Sequence, residues 1–400
     1  MATLSYQNLD EQCSYTIELV ENKSYTLQLT NLKLKLYETG VGIISLFCEN
    51  REYVEYEDIQ KINEYGRRIY PQFIDKDGGI SETKKAFLAN KLTLKLGDKT
   101  YTDNFDKREL KSTLFTKLLS DESIQSVIDD RMFVMCHYMN NSFAEQLTSF
   151  DETKEEYHYE TSAEWYRYLF IDGNSLTCQN RNMLKKLISE KTYGRWADYA
   201  TIYGLSAYSF MLLTNDSDYS IDVLSQHLEK QYYEMMSIVL MQHASILKFS
   251  NDVTKISAKN DKEIATNMTK LYKKYIRFTN RLFYRDVTAQ EQGIELFNLA
   301  QKNISIKENV KDLDNEIEEL HRLTMLIEDK ESSKRIEILN ILGALLLPAT
   351  LVVGFFGMNV PMITGKDAFF NSDKISISIL IFTIIISAFI LFYGKRNHEK

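Results

Sequence analysis

The sequence predicts an α+β membrane protein with an N-terminal cytoplasmic α/β domain, a long helical stalk and two C-terminal transmembrane helices. Three observations support this fold class. Leucines alternate with lysines from residue 32 to residue 36, which is the two-residue period of a half-buried strand. No Gly or Pro interrupts residues 304–342, which predicts one uninterrupted helix. Two later runs of 19 residues, 338–356 and 375–393, contain no charged side chain.

The α/β domain is assigned to residues 1–221. Glu38-Thr39-Gly40 predicts a turn that leads into a strand over residues 41–48. Leucines at positions 92, 94 and 96 run up to Gly97-Asp98 and predict a hairpin. The remaining predicted elements are a helix over residues 56–69 and strands over residues 132–135 and 208–213.

The helical stalk is assigned to residues 222–337. Segments 223–249 and 263–284 are rich in the residues that helices prefer. From residue 306 onward, apolar residues recur at steps of three and four: Val310, Leu313, Ile317, Leu320, Leu323 and Ile327. A single helix over residues 304–356 would extend roughly 80 Å and would carry a rotation or tilt from the cytoplasm to the membrane. Its acidic residues fit a solvated face better than a cation sensor: Asp312, Asp314, Glu316, Glu318 and Glu319.

The two uncharged runs predict transmembrane helices at 338–356 and 375–394, joined by an extracytoplasmic loop at 357–374. Each run has the length of about 20 apolar residues that a bilayer requires. A pair of buried core helices is the weaker interpretation, because the second run is apolar on all sides. Basic residues flank the pair at Lys334, Arg335 and the tail 395–400, whereas the charges of the loop cancel. Both termini are therefore expected in the cytoplasm, in a multi-pass protein of the inner (plasma) membrane.

The first predicted span carries small and polar residues at steps of three and four: Asn340, Gly343, Leu347, Thr350 and Gly354. These residues share one face of a helix, which we name the α-stripe. Such a face has two interpretations: close helix packing, which small residues permit, or a pore wall, in which Asn and Thr oxygens meet hydrated ions. A single pair of spans cannot enclose a channel, so a pore would require several copies of the chain.

Composition excludes several other functions. The net charge of −8 argues against a nucleic-acid partner. The four cysteines, at positions 13, 48, 136 and 178, lack the spacing of a zinc site and fit a reducing compartment. No leader resembling a signal peptide is predicted at the N-terminus. The six histidines form no HExxH group, and no GxSxG, P-loop or GxGxxG occurs, so the chain is not predicted to be an enzyme. Trp165 and Trp196 lie among tyrosines, which favours packing over the stacking of an adenine.

Gly357-Met358-Asn359 directly follows the first uncharged run, and a second run and a basic tail come after it. With Pro348 in mid-span, residues 304–400 resemble the CorA superfamily of divalent cation channels. The resemblance implies a funnel-shaped homopentamer whose α-stripe lines the axis, with Leu347 as a hydrophobic constriction. It also implies a selectivity filter of Gly357, Met358 and Asn359, in which the Asn359 carbonyls bind hydrated magnesium or another divalent cation. Lys366 stands where many members have an acidic residue, and no magnesium sensor can be placed.

Two further stretches, Tyr37–Ile44 and Gln242–Leu247, are similar to a divergent branch of this superfamily that is associated with type III CRISPR loci. That resemblance implies an alternative function in antiviral defence. The protein would then be a membrane effector gated by a nucleotide second messenger, such as an S-adenosylmethionine–AMP conjugate. The position of the ligand site is unknown from the sequence.

Overall fold

The computed structural model describes residues 2–7, 12–20, 23–70, 88–105, 112–121, 123–173, 176–284 and 287–357, together with 378, 381–383, 385 and 389. The strands in these residues are β1 (Ala2–Gln7), β2 (Ser14–Glu18), β3 (Ser24–Leu36), β4 (Gly42–Glu49), β5 (Lys91–Leu96), β6 (Lys99–Asp103), β7 (Val134–Met139), β8 (Phe150–Asp151), β9 (Glu156–Tyr157), β10 (Thr192–Trp196), β11 (Thr201–Leu205) and β12 (Ser209–Thr214). The helices are α1 (Tyr56–Gly66), α2 (Thr113–Leu119), α3 (Asn141–Thr148), α4 (Ala163–Phe170), α5 (Arg181–Lys191), α6 (Tyr233–Ser257), α7 (Asp261–Arg281), α8 (Glu291–Asn303) and α9 (Ile306–Gly357).

The chain divides into two compact units. The first contains Met1–Lys255 and Lys270–Glu318, and the second contains Ile256–Thr269 and Glu319–Lys400. The α/β part and the long helices confirm the predicted fold class at this level. The domain boundaries drawn from the sequence remain predictions.

The first sheet is built around β3, the longest strand. Its strand order is β1-β3-β2-β5-β6, with β4 on the other side of β3, and all of these pairs are antiparallel. β3 pairs with two strands along one edge: its first half pairs with β2 and its second half pairs with β1. The predicted strand at residues 32–36, the following turn and strand, and the hairpin at Gly97-Asp98 are confirmed.

The buried side chains at the end of β3 are not the leucines that the alternating pattern predicts. Lys35 is only 1% exposed, whereas Leu36 is 45% exposed. A bulge between Leu29 and Asn31 interrupts the register with β4, so the strict two-residue period does not run through the whole strand. Lys35 is stabilised in its buried position by Glu234, whose Oε2 lies 2.7 Å from Nζ, and by the ring of Tyr233.

The second sheet has the strand order β10-β11-β12-β7, in which β12 and β7 are parallel and the other pairs are antiparallel. Every residue of β11 and β12 is buried. The sheet's core includes side chains from α3, α4 and α5, among them Trp165 and Tyr168. The predicted strand at 208–213 corresponds to β12, while the one at 132–135 overlaps only the start of β7.

The predicted helical region is also largely confirmed. Residues 220–232 form two π-helical segments, Ser220–Leu224 and Leu228–Tyr232, with the helical turn Ser225–His227 between them. α6 and α7 occupy the two predicted helical segments, and α9 is continuous over most of the predicted 304–356. In the apolar repeat that begins after residue 306, three of the predicted residues are buried, Leu313, Ile317 and Leu320, whereas Leu323 is exposed.

The first predicted span lies within α9. Of the second predicted span, residues 378, 381–383, 385 and 389 are helical, and the others lie outside the described residues, as do the tail 395–400 and the loop beyond Gly357. Among the residues that the structure describes, no helix contains a segment long and apolar enough to cross a membrane.

Candidate functional site

All five residues of the α-stripe lie in α9. At 100° per residue they fall within an arc of about 80°, so the continuous helix brings them onto one face as the sequence predicted. Pro348 lies inside the helix, beside Leu347. The helix thus places two polar side chains, two glycines and one leucine in a single column.

Within the residues that the structure describes, the α-stripe makes few contacts. Leu347 is 71% exposed. A Cβ atom added to Gly343 or to Gly354 would have no neighbour within 4 Å. Thr350 donates its hydroxyl proton to the carbonyl oxygen of Leu346 at 2.5 Å, so its oxygen can still accept from water. The face is therefore open to a second helix or to solvent.

The rest of this part of α9 is apolar and exposed as well. The exposed side chains include Ile338, Leu339, Leu342, Leu346, Leu351 and Val353. An apolar surface of this kind marks a contact with lipid or with other protein chains. The α-stripe differs from its surroundings because it contains every polar residue and every glycine of residues 338–356: Asn340, Gly343, Thr350 and Gly354.

The predicted filter is described only at its first residue. Gly357 is the last residue of α9. Met358 and Asn359 lie outside the described residues, as does Lys366. The role of the filter therefore remains a prediction.

The acidic residues at the start of α9 are exposed. Glu316 accepts a hydrogen bond from Ser250 Oγ at 2.9 Å, and Asp314 accepts one from the hydroxyl of Tyr275. The part of the chain that the structure describes contains no group of three or more His, Cys, Asp or Glu residues that could hold a metal ion. The stretch behaves as a solvated face with hydrogen bonds to α6 and α7.

The two stretches quoted for the divergent branch meet in the fold, although 206 residues separate the atoms in contact. Ser245 Oγ donates to Thr39 Oγ1 at 2.9 Å, and both side chains are buried. Gly40 follows with a φ of +80°, and a Cβ atom there would lie 3.3 Å from Lys248 Cε. The turn between β3 and β4 is thus packed directly on α6, a contact that no sequence spacing could have revealed.

A buried amide network extends this contact. Gln242 donates from Nε2 to the carbonyl oxygen of Tyr284 at 3.1 Å and accepts from Gln301 Nε2 at 3.2 Å. Both glutamine side chains are buried. The network therefore joins α6 to α8 and to the segment that follows α7.

The two tryptophans have different environments. Trp165 is fully buried and donates from Nε1 to Thr192 Oγ1 at 2.8 Å, which confirms packing for this residue. Trp196 is partly exposed and donates to Gln292 Oε1 at 3.1 Å, with Arg195 over its ring.

His137 is a core histidine rather than a ligand. Nδ1 lies 3.1 Å from Ser225 Oγ and Nε2 lies 2.8 Å from Thr214 Oγ1. Burial lowers its pKa to about 4. Burial raises the pKa of the neighbouring Cys136 thiol, so this pair does not form a reactive dyad.

The fold and the exposed α9 face define a class of protein: an α/β domain joined to long helices, the last of which needs lipid or further copies to cover it. A model of the CorA-like Mg²⁺ transporter protein family matches residues 103–396, so the chain belongs to this family. It is therefore a homo-oligomeric transporter of divalent cations with a membrane location, and it is not an enzyme.

Several solved chains match part of this chain. The complete structure of the CorA magnesium transporter from Methanocaldococcus jannaschii matches 47% of this chain and 69% of its own chain, with 12% identity and a TM-score of 0.19. No curated protein matches the chain.

Proposed function

We propose that the protein is a pentameric channel for magnesium-type divalent cations, gated by its cytoplasmic domain. The observation that carries this proposal is the α-stripe, which lies on one open face of α9 within the residues that match the transporter family. Two transmembrane helices per chain, with both termini in the cytoplasm, belong to the same proposal.

The α-stripe would form the pore wall. Asn340 and Thr350 offer oxygens to water around a hydrated cation, and Gly343 and Gly354 let the helices of neighbouring copies approach. Leu347 would be the narrowest apolar ring, at which the pore closes by loss of water. Five copies follow from the resemblance to the family, and the exposed apolar surface of α9 supports a contact between copies and lipid.

Gly357, Met358 and Asn359 would form the outer mouth. A ring of neutral Asn359 amide oxygens suits magnesium, because this ion gives up its water shell reluctantly and is recognised through it. Lys366 in the loop would weaken the capture of cations relative to members with an acidic residue there.

Gating would act along α9. The helix is continuous from Ile306 to Gly357, so a rotation or tilt at its beginning is transmitted to the α-stripe. The cytoplasmic α/β domain would set that rotation, in response to the cation or to another ligand.

The proposal is tested by magnesium flux into liposomes that contain wild-type protein or a leucine variant. Leu347→Ala should raise the resting flux, because a smaller side chain widens the apolar ring. Leu345→Ala is the matched control, since it makes the same change about 160° around the helix. Equal effects of the two substitutions, or none from Leu347→Ala, would contradict the assignment of the α-stripe to the pore.

A second candidate is a channel opened by a nucleotide second messenger, as in the branch associated with type III CRISPR loci. The contact between Thr39 and Ser245 supports it, because it joins the two stretches that carry that resemblance. Calorimetry of the full chain against cyclic and S-adenosylmethionine-conjugated nucleotides tests the idea. Saturable binding that raises ion flux would favour it, and no binding across the panel would remove it.

A further inference from the structure

Three arginines and a tyrosine from distant segments come together in the first unit; we name Arg67, Arg68, Arg131 and Tyr208 the arginine cluster. Arg68 and Arg131 form an isolated antiparallel bridge, in which Met132 N donates to the carbonyl oxygen of Arg67 at 2.7 Å. Tyr208 joins them through the turn before β12, where its carbonyl oxygen accepts from Val134 N at 3.1 Å. Nothing in the sequence spacing predicts this cluster, because its two arginine-bearing segments are about sixty residues apart.

Arg67 is the unusual member. Its side chain lies at the end of α1 and the residue is only 4% exposed. Within the described residues, its Nε and Nη1 atoms are buried and have no hydrogen-bond partner. Two buried guanidinium nitrogens without acceptors are strongly unfavourable, so this arrangement indicates a missing oxygen ligand.

The carboxylates around the cluster do not satisfy Arg67. Asp130 pairs with Arg68 at 2.7 Å and with Arg131 at 3.3 Å, and Asp129 pairs with Arg131 at 3.0 Å. Glu64 lies nearby, but burial raises its pKa, and burial likewise raises the pKa of Asp130. These groups therefore leave the cationic charge of Arg67 without a direct partner.

Arg67 is nevertheless a cation at neutral pH. Burial, followed by the nearby charges of Arg131 and Arg68, lowers its pKa only to about 10. Its position at the C-terminal end of α1 favours positive charge, and the ring of Tyr208 lies 5.1 Å from its guanidinium carbon. These two contacts explain why the charge is tolerated, but neither supplies an acceptor to Nε or Nη1.

The cluster opens to solvent at Arg131. This side chain is 24% exposed, and its guanidinium carbon lies 5.6 Å from the centre of the Tyr208 ring. Its ion pairs with Asp129 and Asp130 are made through Nε, on a side chain that still reaches solvent. An anion entering past Arg131 would meet Arg67 on the inner side.

We propose that the arginine cluster is a binding site for an oxyanion, and that its ligand is the phosphate group of a small molecule. The planar guanidinium presents paired N–H donors that match phosphate oxygens, and two such groups over one tyrosine ring provide donors from two directions. Tyr208 already contacts both guanidiniums, so the site recognises the phosphate and not an aromatic base. This anion site is separate from the proposed cation pathway and does not depend on it.

The test is binding of inorganic phosphate and of AMP to the full chain in detergent, by calorimetry and by the shift in apparent Tm, at an ionic strength matched with sodium chloride. Wild-type protein should show a saturable rise in Tm with phosphate that chloride does not give. Arg67→Met should weaken binding about tenfold or more, which corresponds to the loss of one or two charged hydrogen bonds. Without ligand this variant should be at least as stable as wild type, because an unpaired buried charge has been removed.

Arg51→Met is the matched control. Arg51 is exposed and paired with Glu49, so its loss should leave phosphate binding unchanged. Equal affinities for phosphate and AMP would show that the phosphate alone is recognised, and a higher affinity for AMP would show added contacts; both outcomes support the site. The proposal is overturned if phosphate gives no rise beyond that of chloride, or if Arg67→Met binds either compound as wild type does. Neither readout involves ion flux, so a failure here is distinct from a failure of the channel proposal.

Discussion

His137 is kept neutral by its surroundings in β7. Both ring nitrogens lie within hydrogen-bonding distance of a hydroxyl group, Nε2 at 2.8 Å from Thr214 Oγ1 and Nδ1 at 3.1 Å from Ser225 Oγ. Burial lowers the pKa of His137 from 6.5 to about 4. Protonation therefore favours the unfolded chain, in which the ring is solvated.

We predict that this histidine makes folding stability depend on pH. As pH falls below about 6.5, the unfolded chain binds a proton that the folded chain excludes until about pH 4, so the free energy of unfolding decreases over that window by about 3 kcal/mol in total. The apparent Tm in detergent, measured from pH 7 to pH 4, should fall less steeply in His137→Gln than in wild type. His158→Gln, at an exposed histidine, should keep the wild-type slope. Identical slopes in wild type and His137→Gln would show that His137 does not contribute.

Single residues also mark where prediction from sequence stops. The strand at residues 32–36 could be predicted, because alternation reports the period of the backbone. The burial of Lys35 could not be predicted, because it depends on Glu234 and Tyr233, which lie in α6, about 200 residues further along the chain. The contact between Arg67 and Tyr208 could not be predicted for the same reason, because the two residues are far apart in the sequence and only the fold brings them together.

At the scale of elements, α4 packs closely on β11 of the second sheet. A Cβ atom at Gly204 would lie 2.5 Å from Leu169 Cδ1 and 3.0 Å from Trp165 Cζ2. The tryptophan is fully buried and fixed by its hydrogen bond to Thr192, so it cannot move aside easily. Gly204 therefore allows the helix to lie directly on the strand.

Gly204→Ala should destabilise the protein by about 1–3 kcal/mol through overpacking, measured as a decrease in apparent Tm. Gly293→Ala provides the control. The three atoms nearest to the added methyl all belong to Thr288, a half-buried side chain before α8, and alanine is the better helix former in α8. If Gly204→Ala melts at the wild-type temperature, or if Gly293→Ala loses as much stability, the packing described here is wrong.

Among elements, α9 was the most predictable and the π-helical segments were the least. A long stretch without Gly or Pro and a regular apolar stripe are local signals, and both describe α9. The burial predicted from the apolar repeat is wrong at Leu323, which is exposed, while the next residue, Thr324, is buried. The π-helical segments within residues 220–232 have no comparable local signal in the sequence. The hydrogen bond of Ser225 with His137 joins this region to β7 of the second sheet.

At the scale of the whole molecule, family membership and the α9 face together explain why the chain cannot act alone. One copy leaves the α-stripe and the apolar residues beside it uncovered. Several copies around a common axis would cover part of this surface and place the α-stripe around a water-filled path. The sequence predicted the column of residues, but the number of copies and the atoms at the mouth depend on contacts between chains.

The central claim, that divalent cations pass through a filter made by Asn359, is tested most directly by magnesium flux through reconstituted Asn359→Ala protein. The matched control is Asn371→Ala, which removes the same amide from the same predicted loop. We expect wild-type flux in the control and a loss of magnesium flux or of its selectivity in Asn359→Ala, at equal amounts of inserted protein. Magnesium flux and selectivity that are equal in all three proteins would contradict it.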